Sequence, residues 1–270
     1  MKSCITISLV PSLKGGPWVL WDNIETSLRT AAELGFEGVE LFTAGSTLEG
    51  SQPLDKLLLE YNLSLGDVGT GAGKVLHGLT LTDADPSIRE KAMEFIKDII
   101  RFGAENKAPS ILGSMQGFFT KDTPRETATN FLRESLKELG DYSSSMGTLL
   151  IYEPLNRYET NLFNQFGEAC DFVKSLDTDG VKVLADLFHM NIEETDIAST
   201  IKDHADILGH VHFADSNRRA VGFGHTNMEP ISQCLRQIKY KGYISAEAFA
   251  WPDPLTAAQQ TINSYRKFFS

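Results

Sequence analysis

Glu153 follows the short apolar run Thr148–Tyr152, which is typical of a strand buried on both faces. Pro154 comes next, and proline disfavours a helical conformation for the residue before it. Glu153 should therefore still be extended where the strand stops. A carboxylate at the tip of a core strand is costly without a partner. The sequence thus predicts either a metal ion beside Glu153 or an ion pair with Arg157 or another arginine.

Three further strand-like runs end in a residue that can bind a metal. VKVLAD, ILGHVH and YISAE end in Asp186, His212 and Glu247, as LLIYE ends in Glu153. Three carboxylates and one imidazole form a hard O/N donor set, which suits Mn²⁺, Mg²⁺ or Co²⁺ better than structural zinc. Without a cation, three adjacent carboxylates would repel each other and could not all stay ionised. We predict one divalent cation, with Mn²⁺ preferred.

Other polar residues follow the same strand ends. His189 lies one turn past Asp186, and Arg218 follows the seventh strand, so both are predicted to be functional. The loop residues Asp215, Arg219 and His225 are explained equally well as ordinary surface polarity.

The remaining histidines receive structural interpretations. His210 lies two residues before His212, so it should share the same strand face one layer deeper. His77 and His204 are predicted to be exposed, and Glu193–Glu194 to begin a solvated helix. The glycine-rich segment Gly69–Lys74 lacks the ending of a phosphate loop and is a weak signal.

Strand-like and helix-like segments alternate along the whole chain. The predicted strands are Ile5–Leu9, Glu37–Phe42, Leu63–Val68, Ser110–Gly113, Thr148–Tyr152, Val181–Asp186, Ile207–Phe213 and Tyr243–Glu247. The predicted helices are Trp21–Glu33, Leu54–Tyr61, a long one opened by Asp85-Pro86, Pro124–Met146, Gln165–Leu176, Ile197–Asp203, Pro230–Lys239 and Pro254–Phe268.

This alternation predicts an α/β protein with a parallel sheet, and eight units in 270 residues suit a single-domain (β/α)8 TIM barrel spanning residues 1–270. A doubly wound open sheet is the alternative, but it would usually show GxGxxG after the first strand, and Pro11–Pro17 lacks that pattern. In such barrels the active site lies at the C-terminal ends of the strands, where the four candidate ligands are expected.

The composition of the chain argues against some classes of binding partner. The net charge of -11, from 25 basic and 36 acidic residues, argues against nucleic acid as a partner. The apolar runs are too short to span a bilayer, and the N-terminus lacks a signal-peptide cleavage pattern, so no membrane partner is expected. The scattered cysteines Cys4, Cys170 and Cys234 are expected to be reduced, which indicates a cytoplasmic protein.

The segments EPLNRYE, DLFHMN, GHVHFADSNRR and AEAF resemble motifs of the xylose isomerase-like TIM barrels, a superfamily of sugar isomerases and epimerases. The resemblance is most specific from Gly147 to Phe249. It is closest to the ketose 3-epimerases of the D-tagatose, D-psicose (D-allulose) and L-ribulose type. It implies as metal ligands Glu153, Asp186, His212 and Glu247. It implies as substrate-contacting residues Glu159, His189 and Arg218.

The resemblance also implies a reaction, the C3 epimerisation of a small ketose through a cis-enediolate. A cation would stabilise the charge that develops on oxygen as the C3 proton leaves. Inversion requires acid–base groups on both faces of the substrate, for which Glu153 and Glu247 are the candidates. His189 and Arg218 would hold the C1 and C2 oxygens, and Glu159 would brace a neighbouring hydroxyl or His189.

The sugar and the assembly are predicted less directly. Dispersed basic residues favour an unphosphorylated ketose, and relatives of this kind imply a homodimer or homotetramer. The aromatic residues available to line the mouth of the barrel are Trp18, Trp21, Phe118, Phe119, Phe249 and Trp251.

Other reactions at the same metal site stay open: aldose–ketose isomerisation, or dehydration of an inosose or 3-dehydroshikimate. The NRYE and SNRR segments favour the epimerase. A three-zinc apurinic endonuclease would need further histidines at the third and fourth strand ends, where Gly66-Asp67 and Ser114 stand, and is rejected. A non-catalytic sugar-binding barrel is disfavoured because all four candidate ligands are present.

Overall fold

A computed structural model describes residues 1–48 and 52–269 of the chain. Within these ranges, parallel strands pair in chain order and the last pairs with the first, so the sheet closes. The strands are β1 (Lys2–Ser8), β2 (Gly38–Phe42), β3 (Ser64–Gly69), β4 (Ser110–Leu112), β5 (Leu150–Tyr152), β6 (Val181–Asp186), β7 (Leu208–His212) and β8 (Tyr243–Ala246). The predicted eight-stranded barrel is confirmed.

Helices cover the outside of the barrel. They are α1 (Ile24–Leu34), α2 (Leu54–Glu60), α3 (Ala72–His77), α4 (Pro86–Glu105), α5 (Arg125–Ser145), α6 (Phe166–Lys174), α7 (Leu187–Glu193), α8 (Ile197–Asp203), α9 (Met228–Gln237) and α10 (Pro254–Phe269). Helix α4 illustrates the pattern, since Ala92, Ile96, Ile99 and Ile100 recur at helical spacing and are buried against the sheet. The same helix begins where predicted, with Asp85 capping it by accepting the N–H of Ser87 at 2.8 Å.

Two helices, α3 and α7, lie in segments for which the sequence predicts no helix. Ala72 and Gly73 of α3 are buried, and a Cβ on Gly73 would approach Met115 Sδ to 2.5 Å, so close packing rather than sequence periodicity holds this turn in place. Helix α7 begins directly after β6 without a connecting loop. Two strands begin at residues other than those predicted: β1 begins at Lys2 rather than Ile5, and β5 begins at Leu150 rather than Thr148.

The inside of the barrel has an apolar side and a polar side. Ile111, Ile151 and Leu184 form a buried cluster contributed by β4, β5 and β6. Glu40 and Asp67 are instead paired in register on β2 and β3, and both are buried. The barrel interior below the candidate ligands is therefore apolar on the side of β4, β5 and β6 and charged on the side of β2 and β3.

Among the residues that the structure describes, none of the helices combines the length and the apolar character needed to cross a membrane.

Candidate active site

The four predicted ligands converge at the C-terminal mouth of the barrel. Glu153 and Glu247 follow β5 and β8, and Asp186 and His212 end β6 and β7. One donor atom from each of the four lies within 4.8 Å of the others. His212 Nδ1 lies 3.3 Å from Asp186 Oδ2, 3.4 Å from Glu153 Oε1 and 3.7 Å from Glu247 Oε2. The spacing suits donors that surround a single ion.

Glu153 is held by its backbone and given room by a glycine. Its N–H donates to Leu112 O at 3.0 Å, and its carbonyl accepts from Gln116 Nε2 at 2.9 Å. A Cβ on Gly113 would lie 2.4 Å from Glu153 Oε2, so the glutamate side chain fits there only because position 113 is glycine. Glu153 Oε1 is buried and has no hydrogen-bond partner, as expected for an oxygen that binds an ion.

The two carboxylate oxygens of Asp186 make different contacts. Oδ1 accepts the N–H groups of Phe188 at 2.7 Å and His189 at 3.2 Å, which caps helix α7. Oδ2 faces the imidazole of His212. The helix that follows β6 therefore fixes the orientation of the side chain that ends β6.

His189 presents one ring nitrogen to the carboxylates. The backbone N–H of Asn156 donates to His189 Nδ1 at 3.3 Å, and Asn156 Nδ2 lies 2.7 Å from the same atom. Because a backbone amide can only donate, Nδ1 must be the acceptor and Nε2 must carry the proton. His189 Nε2 lies 3.7 Å from Asp186 Oδ2 and 3.8 Å from Glu153 Oε1. Burial lowers the pKa of His189 to about 4, which keeps the ring neutral.

Arg218 reaches into the site from the loop after β7. Its guanidinium contacts Glu247 Oε2, lies 3.3 Å from Glu159 Oε1 and packs 4.9 Å from the centre of the Phe188 ring. The residue adopts a left-handed backbone conformation, with φ of 56°, which costs a non-glycine residue free energy. The loop supplies compensating hydrogen bonds, since Arg218 N donates to Asp215 O at 2.8 Å and Phe249 N donates to Arg218 O at 2.7 Å.

Glu159 lies at the outer edge of the group, with 42% of its side chain exposed. Oε1 accepts from Asn156 Nδ2 at 2.9 Å and lies 3.9 Å from His189 Nδ1. The predicted brace between Glu159 and His189 therefore runs through Asn156.

The titration of the ligand residues shows how much positive charge this group requires. Burial, with smaller contributions from the neighbouring carboxylates of Glu247 and Asp186, raises the pKa of Glu153 to about 8 against the opposing effect of His212. Burial also raises the pKa of Glu247. Burial alone would raise the pKa of Asp186, but His189, His212 and Arg218 hold it below its usual range. Burial thus favours the protonated forms of Glu153 and Glu247, whereas a divalent cation would favour their ionised forms, so the donor set fits such a cation.

A cavity of about 260 Å³ opens beside these residues. Glu153, His212, Arg218 and Glu247 line its inner end. Of the aromatic residues expected at the mouth, Trp18 and Phe249 line this cavity. Trp251 is 43% exposed and lies under the guanidinium of Arg219 instead.

Several sequence predictions around the site are wrong. Arg157 pairs with Glu193, not with Glu153, through a Nη2–Oε2 contact of 2.8 Å. Glu193 ends α7 rather than beginning a helix, and only 5% of its side chain is exposed. Glu194 accepts the N–H of Phe166 at 2.7 Å. His204 is half-buried against Phe166, whereas His77 is exposed as predicted.

Asp215 is not ordinary surface polarity: it is buried and organises the loop around Arg218. Its two oxygens accept backbone N–H groups from Ser216, Gly222, Gly224 and Thr226 at 2.8 to 3.0 Å. The sequence cue was the neighbourhood of glycines and small polar residues that can turn their amides toward one carboxylate.

Glu40, Asp67, Gln116 and Asn156 are contacts of the site that the sequence analysis did not propose. Glu40 lies 3.3 Å from His212, and Asp67 lies 3.0 Å from His210, which is buried in the deeper layer as predicted. The available signal was a charged residue inside an apolar strand, in GVELF and LSLGDVG.

The fold and the position of this group are those of TIM-barrel proteins, whose functional residues lie at the C-terminal mouth. A family model described as xylose isomerase-like TIM barrel matches residues 28–268. The chain therefore belongs to the xylose isomerase-like TIM barrel family, as the resemblance of its motifs predicted.

Two curated relatives illustrate the likeness within the family. The chain is 33% identical to the D-psicose 3-epimerase of Ruminiclostridium cellulolyticum over 173 residues, 63% of this chain and 59% of that protein. It is 28% identical to the 3-dehydro-D-guloside 4-epimerase of Escherichia coli strain K12 over 252 residues, 89% of this chain and 93% of that protein. The alignment thus spans less than two thirds of the psicose epimerase.

A crystal structure of D-psicose 3-epimerase with D-tagatose, from Clostridium cellulolyticum H10, is similar over the whole chain. The TM-score is 0.82 at 25% identity, and 100% of each chain is covered.

Proposed function

We propose that this protein is a metal-dependent sugar epimerase that inverts C3 of a small ketose through a cis-enediolate. The observation that carries the proposal is the convergence of Glu153, Asp186, His212 and Glu247, with His189 and Arg218 directed at the same point. Relatives named as D-psicose, L-ribulose and ketose 3-epimerases support it.

Glu153, Asp186, His212 and Glu247 would hold one divalent cation, Mn²⁺ first, with Co²⁺ or Mg²⁺ as alternatives. When bound, such a cation supplies Lewis acidity that stabilises negative charge on the substrate oxygens. The donor set contains oxygen and imidazole nitrogen without thiolate, and Glu153 Oε1 is buried without a hydrogen-bond partner.

Glu153 and Glu247 form the proposed acid–base pair. They come from β5 and β8, which β6 and β7 separate, so their carboxyl groups approach a substrate from different sides. One removes the C3 proton and the other returns a proton to the opposite face, which is the requirement for inversion. Each carboxyl has two oxygens, so one can serve the cation while the other handles the proton.

His189 and Arg218 would bind the C1 and C2 oxygens of the ketose. The protonated Nε2 of His189 is directed toward the ligand cluster and can donate to a substrate oxygen. The guanidinium of Arg218 stands between Glu247 and Glu159, where it can donate to an oxygen that gains negative charge. Glu159 and Asn156 hold both side chains in place.

A second candidate is the epimerisation of C4 in a 3-keto-glycoside. It is favoured by the E. coli 3-dehydro-D-guloside 4-epimerase, which aligns over 93% of its own length. The chemistry is the same, since the proton removed is again on the carbon next to a ketone. Isomerisation to an aldose and loss of a β-hydroxyl are further outcomes that this site could support.

The test is proton exchange in D₂O. Protein stripped with chelator and reloaded with Mn²⁺ or Co²⁺ is incubated with D-fructose, D-tagatose, D-psicose, L-ribulose or a 3-keto-glucoside, and the products are followed by NMR. Deuterium at C3 of a ketose with its C3 epimer, only in the metal-loaded protein, is the expected result. Glu153→Gln and Glu247→Gln should each reduce turnover by about 10²-fold or more.

Each other outcome points to a different reaction. Deuterium at C4 of the 3-keto-glucoside alone would favour the second candidate. Deuterium at C1 with an aldose product would make the protein an isomerase. No exchange into any of these sugars by metal-loaded protein would refute the epimerase proposal.

A further inference from the structure

A buried polar cluster packs against His212, and one of its members, Glu40, also lines the cavity. We call it the Glu40 cluster, and it consists of Glu40, Asp67, His210 and Ser245. All four side chains are buried, and they come from β2, β3, β7 and β8. Burying two carboxylates and an imidazole in a barrel interior is costly, so their arrangement requires an explanation.

His212 connects this cluster to the candidate metal site because its two nitrogens face in different directions. Nδ1 lies among the carboxylates of Asp186, Glu153 and Glu247. Nε2 lies 3.3 Å from Glu40 Oε2, within ion-pair distance but without the geometry of a hydrogen bond. An imidazole nitrogen that binds a cation must be unprotonated, so the ring proton belongs on Nε2, where an acceptor is needed.

We propose that Glu40 is a positioning residue that fixes the Nε2–H tautomer and the orientation of His212, and so strengthens cation binding at Nδ1. The inference rests on the metal site proposed above. A carboxylate behind a metal-binding histidine orients the ring and increases its basicity. Glu40 also lines the cavity, but its contact with the ligand set is with Nε2 of His212, so we place its effect in that ring.

The rest of the Glu40 cluster holds the carboxylate in that position. Ser245 Oγ donates to Glu40 Oε2 at 2.6 Å, and His210 Nε2 lies 3.7 Å from the same oxygen. Asp67, the in-register neighbour of Glu40, has its Oδ2 3.0 Å from His210 Nε2. Ser245 therefore orients Glu40 directly, whereas Asp67 belongs to the cluster without contacting His212.

This difference supplies a matched pair of variants. Glu40→Gln and Asp67→Asn each replace one buried carboxylate of the cluster by an amide of the same shape. If Glu40 acts through His212, the affinity for Mn²⁺ measured by titration calorimetry at fixed pH should fall about 10- to 100-fold in Glu40→Gln. It should change much less in Asp67→Asn. The absorption spectrum of the Co²⁺-loaded protein should shift in Glu40→Gln, since the histidine ligand is no longer held in one orientation.

A merely structural role would give a different pattern. Both variants would lose thermal stability without metal, while the Mn²⁺ affinity of Glu40→Gln stayed within about twofold of wild type, and that result overturns the proposal. Binding of two Mn²⁺ ions per wild-type chain would also overturn it, because Glu40, His210 and His212 could then hold the second ion themselves. A wild-type protein that binds no divalent cation would refute the metal site, and with it the proposed function.

If Glu40→Gln does not fold, Ser245→Ala decides the question. It removes the hydrogen bond that orients Glu40 and introduces no new polar group. A Mn²⁺ affinity at least threefold weaker than wild type supports the role of Glu40, and an unchanged affinity contradicts it.

Discussion

The space that a side chain at Gly113 would fill is occupied by the carboxylate of Glu153. Glu153 Oε2 lies where a Cβ would be, at 2.4 Å, and the other close atoms are its own carboxyl carbon at 3.6 Å and Leu155 Cδ2 at 3.8 Å. The obstacle to a larger residue is therefore the end of one flexible side chain rather than backbone. A methyl group at this position would displace Glu153 without disrupting the fold.

We expect Gly113→Ala to lower kcat/KM of the active protein by about 10²-fold, because small displacements of a catalytic group are costly. The free energy of unfolding should change by less than about 1 kcal/mol. Steady-state kinetics and urea denaturation measure the two effects. Gly45→Ala is the control, since a Cβ there meets nothing within 4 Å. A Gly113→Ala protein with full activity would show that Glu153 need not lie where the structure places it.

The loop after β7 depends on one buried carboxylate. Asp215 accepts four backbone N–H groups and so fixes the turn in which Arg218 adopts its left-handed conformation. Burial would raise the pKa of Asp215, but the N–H groups of Thr226, Gly222, Ser216 and Gly224 outweigh burial and lower it. The charged form is therefore the one that stabilises the loop.

Asp215→Asn should reduce the free energy of unfolding at neutral pH by about 1–3 kcal/mol, because an amide cannot accept all four bonds. A depressed pKa contributes stability above the unfolded pKa of about 3.9, and the contribution is lost as the pH falls through the lower folded value. The difference between wild type and variant should thus shrink below about pH 4. Urea denaturation across the pH range measures it.

His225→Ala provides the control on the same loop, since His225 is exposed and its backbone N–H, not its ring, bonds Ser216. A difference between Asp215→Asn and wild type that stays constant from pH 7 to pH 3 would contradict the assignment of a charged Asp215.

For the molecule as a whole, the candidate site links stability to metal binding. A ligand that binds the folded state stabilises it by about 2.7 kcal/mol at 100 times its Kd. We therefore expect saturating Mn²⁺ to raise the melting temperature by roughly 5–10 °C for a chain of this size, as measured by calorimetry. Chelator should reverse the shift.

Asp186→Asn should abolish that shift. The asparagine keeps an oxygen that can cap α7 in place of Asp186 Oδ1, while the charge facing His212 is removed. The metal-free variant should therefore melt near wild type. An equal shift in the variant would mean that Mn²⁺ stabilises the protein from somewhere else.

The sequence predicted the barrel and the four strand-end ligand candidates because each depends on local patterns. Alternating apolar runs define the strands, and a charged residue that ends such a run is visible in one dimension, as at Glu153 and Asp186. Glu40, Asp67 and Gln116 could not be placed this way, since their role depends on which strands the closed barrel brings together. The ion pair of Arg157 with Glu193 was not predicted for the same reason, because Glu193 lies on a helix that the local sequence did not reveal. The homo-oligomer and the cytoplasmic location stay predictions.

The cavity beside the ligands is lined by residues from both halves of the chain. Except for Glu40, the charged lining residues lie in the second half of the chain, at or after the ends of β5, β7 and β8. The first half supplies uncharged lining residues, among them Pro17, Trp18, Phe42, Thr70, Val75 and Ser114. Apart from Glu40 in the first half and Leu155 and Phe249 in the second, the charged and uncharged linings come from separate stretches of the sequence. Substitutions at those six first-half positions can change the shape of the cavity while every residue of the proposed chemistry is kept, so the molecules accepted can diversify without loss of the proposed reaction.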